Sequence, residues 1–169
     1  MIEIFDDAIE REDQDYFESF LLGDLFPYYF RTNTTYNDEQ DTCQFQHNLY
    51  YNGQSNSEYF EKFFSKFKKF IDNYSSHKSI IRMKVNLLLN NKADTFNTIH
   101  TDYDLEHLSL LYYVNDSDGD TFLFDGNIVI KTVSPKKGRI LLFDGKYKHA
   151  SSNPIHSKYR SVININLGP

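Results

Sequence analysis

Eight short strand-like runs follow one another between Ile80 and Leu167. Two amphipathic helical stretches precede them, and aromatic residues make up 17% of the chain. Together these observations predict a mostly β chain with supporting helices (α+β): a double-stranded β-helix, or jelly-roll, barrel with the N-terminal helices packed on one sheet. At 169 residues the chain has the length of one domain. A single domain over 1–169 is therefore expected, with 1–79 supplying supporting helices and flanking strands and 80–169 the jelly-roll core.

The first helix is expected from about Asp6 to Leu22. Acidic residues crowd its start, where the helix dipole favours them, and Gly23 follows where a C-terminal cap belongs. Ile9, Phe17, Phe20 and Leu21 would form its buried side. The runs YYFRTN and FQHNLYYNG then read as short strands joined by turns rich in Asn, Thr and Asp. Ser55 and Glu58 have the spacing of a capping box ahead of the second helix. Phe60, Phe63, Phe64, Phe67, Phe70, Ile71 and Tyr74 recur at helical spacing there, and Lys62, Lys66, Lys68 and Lys69 fall largely on the other side. Such a helix buries its rings against a sheet and offers no aromatic patch to nucleic acid. The eight later strands are IRMKVNLLL, NTIHTDY, HLSLLYYVN, GDTFLF, NIVIKTV, GRILLFDG, KYKHAS and YRSVININL. The turns between them are NNKAD, DSDG, DGN, SPKKG, DGK and NPIHSK.

Composition excludes several classes. The longest wholly apolar run is Leu110 to Val114, far short of the 18 or so residues of a membrane-spanning helix. The acidic start MIEIFDDAIER lacks the basic region of a secretory signal, and the single cysteine, Cys43, permits neither an internal disulfide nor a cysteine metal cluster. A cytoplasmic setting is expected. The formal net charge is -6, but residues 1–41 hold 12 acids and two bases, while the remainder holds 12 acids and 16 bases. The overall acidity argues against a nucleic-acid binder, and the mildly basic remainder leaves room for an anionic ligand. Oligomeric state has no signal in the sequence.

Among the six histidines only His100 is followed two residues later by an acid, in His100-Thr101-Asp102. In a strand, residues i and i+2 face the same side, so the pair offers two corners of a metal site. His149, after the strand ILLF and the turn DGK, is the best third ligand. Two histidines and one carboxylate on one face of an ion form the facial triad of non-haem Fe(II) oxygenases, although zinc accepts the same donors. Arg160 lies 11 residues after His149, on a strand that runs back beside it. A guanidinium there suits the distal carboxylate of a dicarboxylate whose keto-acid end chelates iron, and a zinc hydrolase has no use for it. Asn164 and Asn166 share the strand face of Arg160. The remaining histidines read blandly: His77 and His156 as solvated loop residues, His107 as a strand-end residue and His47 as a residue that could edge the pocket.

From about Arg82 to Leu167 the sequence resembles the Fe(II)- and 2-oxoglutarate-dependent oxygenases, in particular the prolyl 4-hydroxylase-like branch. The resemblance is carried by His100-Thr101-Asp102-Tyr103-Asp104, LSLLYYVND at 108–116, GDTFLF at 119–124, SPKKGRILLFDG at 134–145, His149 and Arg160. It implies that His100, Asp102 and His149 hold Fe(II), that Arg160 binds the distal carboxylate of 2-oxoglutarate, and that the Tyr113 hydroxyl meets the same carboxylate. Asn86 is the nearest match to a family residue near the keto-acid end. The chain departs from many prolyl 4-hydroxylases in having Arg rather than Lys at the distal position, and in reducing a double glycine to Asp118-Gly119. The activity implied is hydroxylation of an unactivated C–H bond by O2, with 2-oxoglutarate converted to succinate and CO2. The carboxylate of Asp102 favours hydroxylation over halogenation, because halogenating relatives have a small residue there. A prolyl or other amino-acid side chain, a peptide or a small metabolite would suit as substrate. The alternatives are a non-catalytic jelly-roll metal-binding or structural module, and a His2Asp zinc hydrolase.

Overall fold

The computed structural model describes residues 1–35, 42–91 and 95–169. The turn residues expected at 36–41, and most of the turn NNKAD, lie outside them. The chain begins with a strand, β1 (Ile2–Phe5), and not with the helix expected from Asp6. The alternation IEIF pairs with β9 (Ile140–Asp144), and Asp7, at φ 50, turns the chain toward α1 (Arg11–Leu21). Glu12 and Asp13 occupy the first turn of α1, on the favourable side of its dipole. The helix ends with Leu22 N–H donating to Glu18 O, and Gly23 follows it without the left-handed conformation of a glycine cap.

The strands β2 (Tyr29–Arg31), β3 (Gln44–Tyr51) and β4 (Gln54–Ser55) come next, then α2 (Phe60–Tyr74). The capping box does not form: Ser55 belongs to β4 and donates to Ser57 O, while Ser57 Oγ accepts from Tyr59 N–H ahead of α2. Phe60, Phe63, Phe67, Phe70 and Ile71 are buried as the spacing predicts, but Tyr74 at the last turn is 53% exposed, resting on Phe5 and Phe70. The later strands are β5 (Ser79–Leu89), β6 (Leu108–Tyr113), β7 (Thr121–Asp125), β8 (Ile128–Val133), β9, β10 (Lys148–Ser151) and β11 (Tyr159–Gly168). The segment NTIHTDY is not a strand. Its sheet pairing is one isolated bridge, His100 to His149, with a second, Phe96 to Ser152, just ahead of it.

Antiparallel pairing gives a large sheet in the order β1-β9-β6-β11-β5-β3-β2, with β4 on β3, and a small sheet β10-β7-β8. The two sheets make the jelly roll without closing into a barrel. Alternation along the large sheet decides what each face does. On β6, Leu108, Leu110 and Tyr112 face the helices, whereas Ser109, Leu111 and Tyr113 face the small sheet. On β11, Ile163, Ile165 and Leu167 face the helices; Arg160, Val162, Asn164 and Asn166 take the other side.

Both helices cover the first of these faces. Phe17 of α1 lies edge-on to Phe63 and stacked on Phe67, and Tyr112 closes the group from β6. Each fully buried ring contributes about 1.5–3 kcal/mol, so this aromatic seam fixes the helices on the sheet. Gly138, at φ 79, lies against Gln14, whose side chain would collide with any Cβ there. The acidic N-terminal segment finds its counter-charges at home. Asp6 pairs with Arg139 and Lys136, Lys137 reaches Asp15 and Glu18, and Lys66 meets Asp13. Much of the charge asymmetry in the sequence is thus spent within the fold, in exposed pairs each worth about 0–1 kcal/mol.

Asp118 fastens the loop that precedes β11. Its carboxylate accepts from the N–H groups of Ile155, His156 and Ser157 at 2.8–3.1 Å. Burial acts to raise its pKa, but these donors overcome that and hold the carboxyl below the ordinary carboxylate range. A depressed pKa contributes stability that is present above the unfolded value near 3.8 and lost as pH falls through the folded value. Asp118→Asn is therefore expected to cost about 1–2 kcal/mol at neutral pH, read as a fall in Tm of about 2–8 °C. Its deficit relative to wild type is expected to shrink below pH 4, which thermal melts across pH will show.

Candidate active site

The space between the two sheets holds the polar face of the large one. His100 and His149 sit opposite each other in an isolated antiparallel bridge, exchanging backbone hydrogen bonds of 3.0 and 2.8 Å. Their rings are 4.4 Å apart, centroid to centroid. Asp102 follows two residues after His100, and its Oδ2 lies 3.9 Å from His149 Nε2. One donor atom from each of His100, Asp102 and His149 lies within 4.8 Å of the others. The three converge although the segment carrying His100 and Asp102 is not a strand: the bridge to β10 places His100, and Asp102 is held from the sheet.

That hold comes from four side chains on the cavity face. Arg82 Nη2 donates to Asp102 Oδ1 at 2.5 Å. Asn166 and Asn164 donate to Oδ2 at 2.8 and 3.3 Å, and Ser109 Oγ donates to it at 3.3 Å. Arg82 is itself tied to Asn166 Oδ1 through Nε. Burial would raise the Asp102 carboxyl, but Arg82 above all, with the other cationic groups nearby, holds it well below the usual range. Burial pushes His149 down to about 3 and also lowers His100. At neutral pH the site therefore presents two neutral imidazoles and one carboxylate. His100 Nδ1 is engaged with Thr98 O at 3.0 Å, so its Nε2 is the nitrogen left to ligate. This donor set fits a divalent transition metal.

A cavity adjoins these groups. Arg160 lines it and is only 3% exposed. Its Nε donates to Gly119 O at 2.7 Å and its Nη2 to Thr121 Oγ1 at 2.8 Å. Tyr113 is fully buried, its hydroxyl donates to the same Thr121 oxygen at 2.8 Å, and burial raises its pKa. Thr121 thus accepts from both, and its own proton is left for another acceptor. Asn86 lines the same cavity, and its buried Oδ1 has no hydrogen-bond partner among the described residues. Asn164 lines it as well, whereas Asn166 is turned to Asp102.

Gly119 sets the seat of Arg160. A Cβ there would lie 2.7 Å from Ser152 O and 2.9 Å from Arg160 Cδ. Gly119→Ala is expected to shift the guanidinium and, for the 2-oxoglutarate that the sequence leads us to expect there, to weaken binding about tenfold, ~1.4 kcal/mol. Affinity for Mn(II) alone is expected to stay as in wild type, and calorimetry of each ligand separates the two.

Two histidines depart from expectation. His47 does not edge the cavity; its Nδ1 lies 2.6 Å from Pro27 O and its ring packs on Phe26, on the helix side of β3. The side chain of His77 is only 14% exposed and lies 3.4 Å from Glu106. His107 is buried just ahead of β6, and His156 is exposed. Sequence reasoning passed over Arg82, Lys84 and Thr121. The signal for the first two was present: Arg82, Lys84 and Asn86 alternate as polar residues within the apolar run that follows Ser79 in β5.

The fold is that of the 2-oxoglutarate-Fe(II) oxygenases. It is similar to an oxidoreductase of the 2OG-Fe(II) oxygenase family from Burkholderia pseudomallei, with a TM-score of 0.75 at 14% identity, covering 98% of this chain and 84% of that one. A Pseudomonas putida prolyl-4-hydroxylase gives a TM-score of 0.68 at 11% identity over 99% of this chain and 92% of its own. The viral collagen prolyl hydroxylase of Paramecium bursaria Chlorella virus-1, solved with 2-oxoglutarate, gives 0.60 at 14% identity over 99% and 96%. No family model and no curated protein matches the sequence. Among the described residues no helix is long and apolar enough to cross a membrane.

Proposed function

We propose that the chain is an Fe(II)- and 2-oxoglutarate-dependent oxygenase that hydroxylates an unactivated C–H bond, releasing succinate and CO2. The observation that carries this reading is the pairing of two sites in one cavity. His100, Asp102 and His149 converge to within 4.8 Å, and a buried arginine with built-in supports lines the same space. His100 and His149 would bind iron through neutral imidazole nitrogens and Asp102 through a carboxylate oxygen. Iron with its 2-oxoglutarate supplies the activation of O2. Arg82, Asn164, Asn166 and Ser109 keep Asp102 ionised and oriented. Arg160 would bind the distal carboxylate of 2-oxoglutarate, with Thr121 and Tyr113 at its side and Asn86 toward the keto-acid end. A His2Asp zinc hydrolase has no use for this second site, and a purely structural module has no use for either.

Solved neighbours act on or bind different partners: one is a prolyl hydroxylase in complex with a peptide fragment. For this chain an amino-acid side chain, a peptide or a small metabolite remains the proposed range. The test is succinate formation from 2-oxoglutarate by the Fe(II)-loaded protein in air, which occurs slowly in such enzymes even without substrate. Succinate dependent on both Fe(II) and O2 is expected. Its absence from protein that binds Fe(II) and 2-oxoglutarate would favour the non-catalytic module.

A further inference from the structure

Lys84 is not used by the groups described above. It lies on β5 between Arg82 and Asn86, on the cavity face, and it lines the cavity. Among the described residues no hydrogen bond or ion pair engages its ammonium. Arg82 and Arg31 bear on it with like charge and Asp102 with opposite charge, but Asp102 is already bound by Arg82, Asn164, Asn166 and Ser109. Burial pushes its pKa down to about 7, and an anion seated against it would hold it charged.

The register of the sheet says which anion. Arg160 lies level with Leu88 of β5, Val162 with Asn86, and Asn164 with Lys84. Lys84 and Arg160 are therefore four residues apart along the sheet, about 13 Å. A five-carbon diacid anchored at Arg160 spans roughly two residues of strand, to the level of Asn86. Lys84 lies a further step along, beside Asn164, whose amide is on Asp102. Its charge bears on His100, Asp102 and His149, which puts it on the metal side of the cavity, and Thr34 and Gln44 line the same cavity from the β2–β3 side.

We propose that Lys84 recognises a carboxylate on the substrate itself, so that the molecule oxidised is a small aliphatic or amino acid held by its own carboxylate next to the metal ligands. This rests on the oxygenase reading and narrows its substrate class.

The test is calorimetric binding to the full chain loaded with Mn(II) and N-oxalylglycine. The probes are C3–C6 aliphatic acids and L-amino acids, each beside its primary amide. At least one free acid is expected to bind 30-fold or more tightly than its amide. Lys84→Met is expected to reduce that preference below threefold, with the Kd of 2-oxoglutarate shifted less than threefold. Lys84→Arg, which keeps the charge, is expected to retain a preference of at least tenfold and decides the matter should the methionine variant fail to fold. Equal binding of acids and amides across the set overturns the proposal, as does a preference that survives in Lys84→Met. A loss of 2-oxoglutarate affinity in Lys84→Met as large as in Arg160→Ala would reassign Lys84 to the cosubstrate and also overturn it. Wild-type protein that fails to bind Mn(II) and N-oxalylglycine would instead overturn the oxygenase reading.

Discussion

Arg160→Ala is expected to weaken 2-oxoglutarate binding by about thirtyfold to a few thousandfold, the ~2–5 kcal/mol lost when one member of a buried charged pair is removed. Metal affinity is expected to remain, because Arg160 touches none of the three metal-binding groups. Its hydrogen bonds go to Gly119 O and Thr121 Oγ1. The alanine leaves Thr121 and Tyr113 to face a carboxylate without a cation, and two hydroxyls do not replace a guanidinium. Arg160→Lys should recover part of the loss, since it restores charge but not the fork that spans Gly119 and Thr121. Calorimetric titration of Mn(II)-loaded protein with 2-oxoglutarate reads all three proteins on one scale.

Asp102→Ala is expected to do two things at once. It removes one of three metal donors, so Fe(II)-dependent succinate formation should fall to background. It also strands Arg82, whose side chain is 10% exposed against 3% for Asp102. Breaking a buried pair from one side costs about 3–5 kcal/mol, a fall in Tm of about 6–20 °C for a chain of this size. Asp102→Asn, which can still accept from Arg82, should melt closer to wild type while binding metal as poorly as the alanine variant. Metal content after dialysis, set beside melting curves, separates the chemical role of the carboxylate from its structural one.

How much of this was legible in the sequence follows from the kind of signal each feature leaves. The seven strands from β5 onward and the buried face of α2 are written as alternation and as helical spacing, and both emerge where the pattern put them. The strand expected at NTIHTDY failed because alternation is a local signal. The segment finds no ladder partner among the described residues beyond the bridge at His100. Its histidine and aspartate still converge, through the bridge to His149 and through donors on β5, β6 and β11. Strand β1 was missed since four residues beside a run of acids give little pattern; its pairing to β9 supplies the stability. The capping box failed because β4 claims Ser55.

The site divides in the same way. His100, Asp102, His149 and Arg160 stand out in the sequence through residue type and spacing. Their supports do not, because Gly119 O is a backbone atom and Thr121 is an ordinary strand residue. Arg82 and Lys84 were readable in principle from the polar alternation of β5. Which face of that strand meets the cavity is settled only by its place between β11 and β3.

The most direct measurement is a crystal structure with Mn(II) and N-oxalylglycine. The ion is expected between His100, Asp102 and His149, chelated by the oxalyl end, with the far carboxylate on Arg160. An ion bound elsewhere, or a far carboxylate lying away from Arg160, would contradict it.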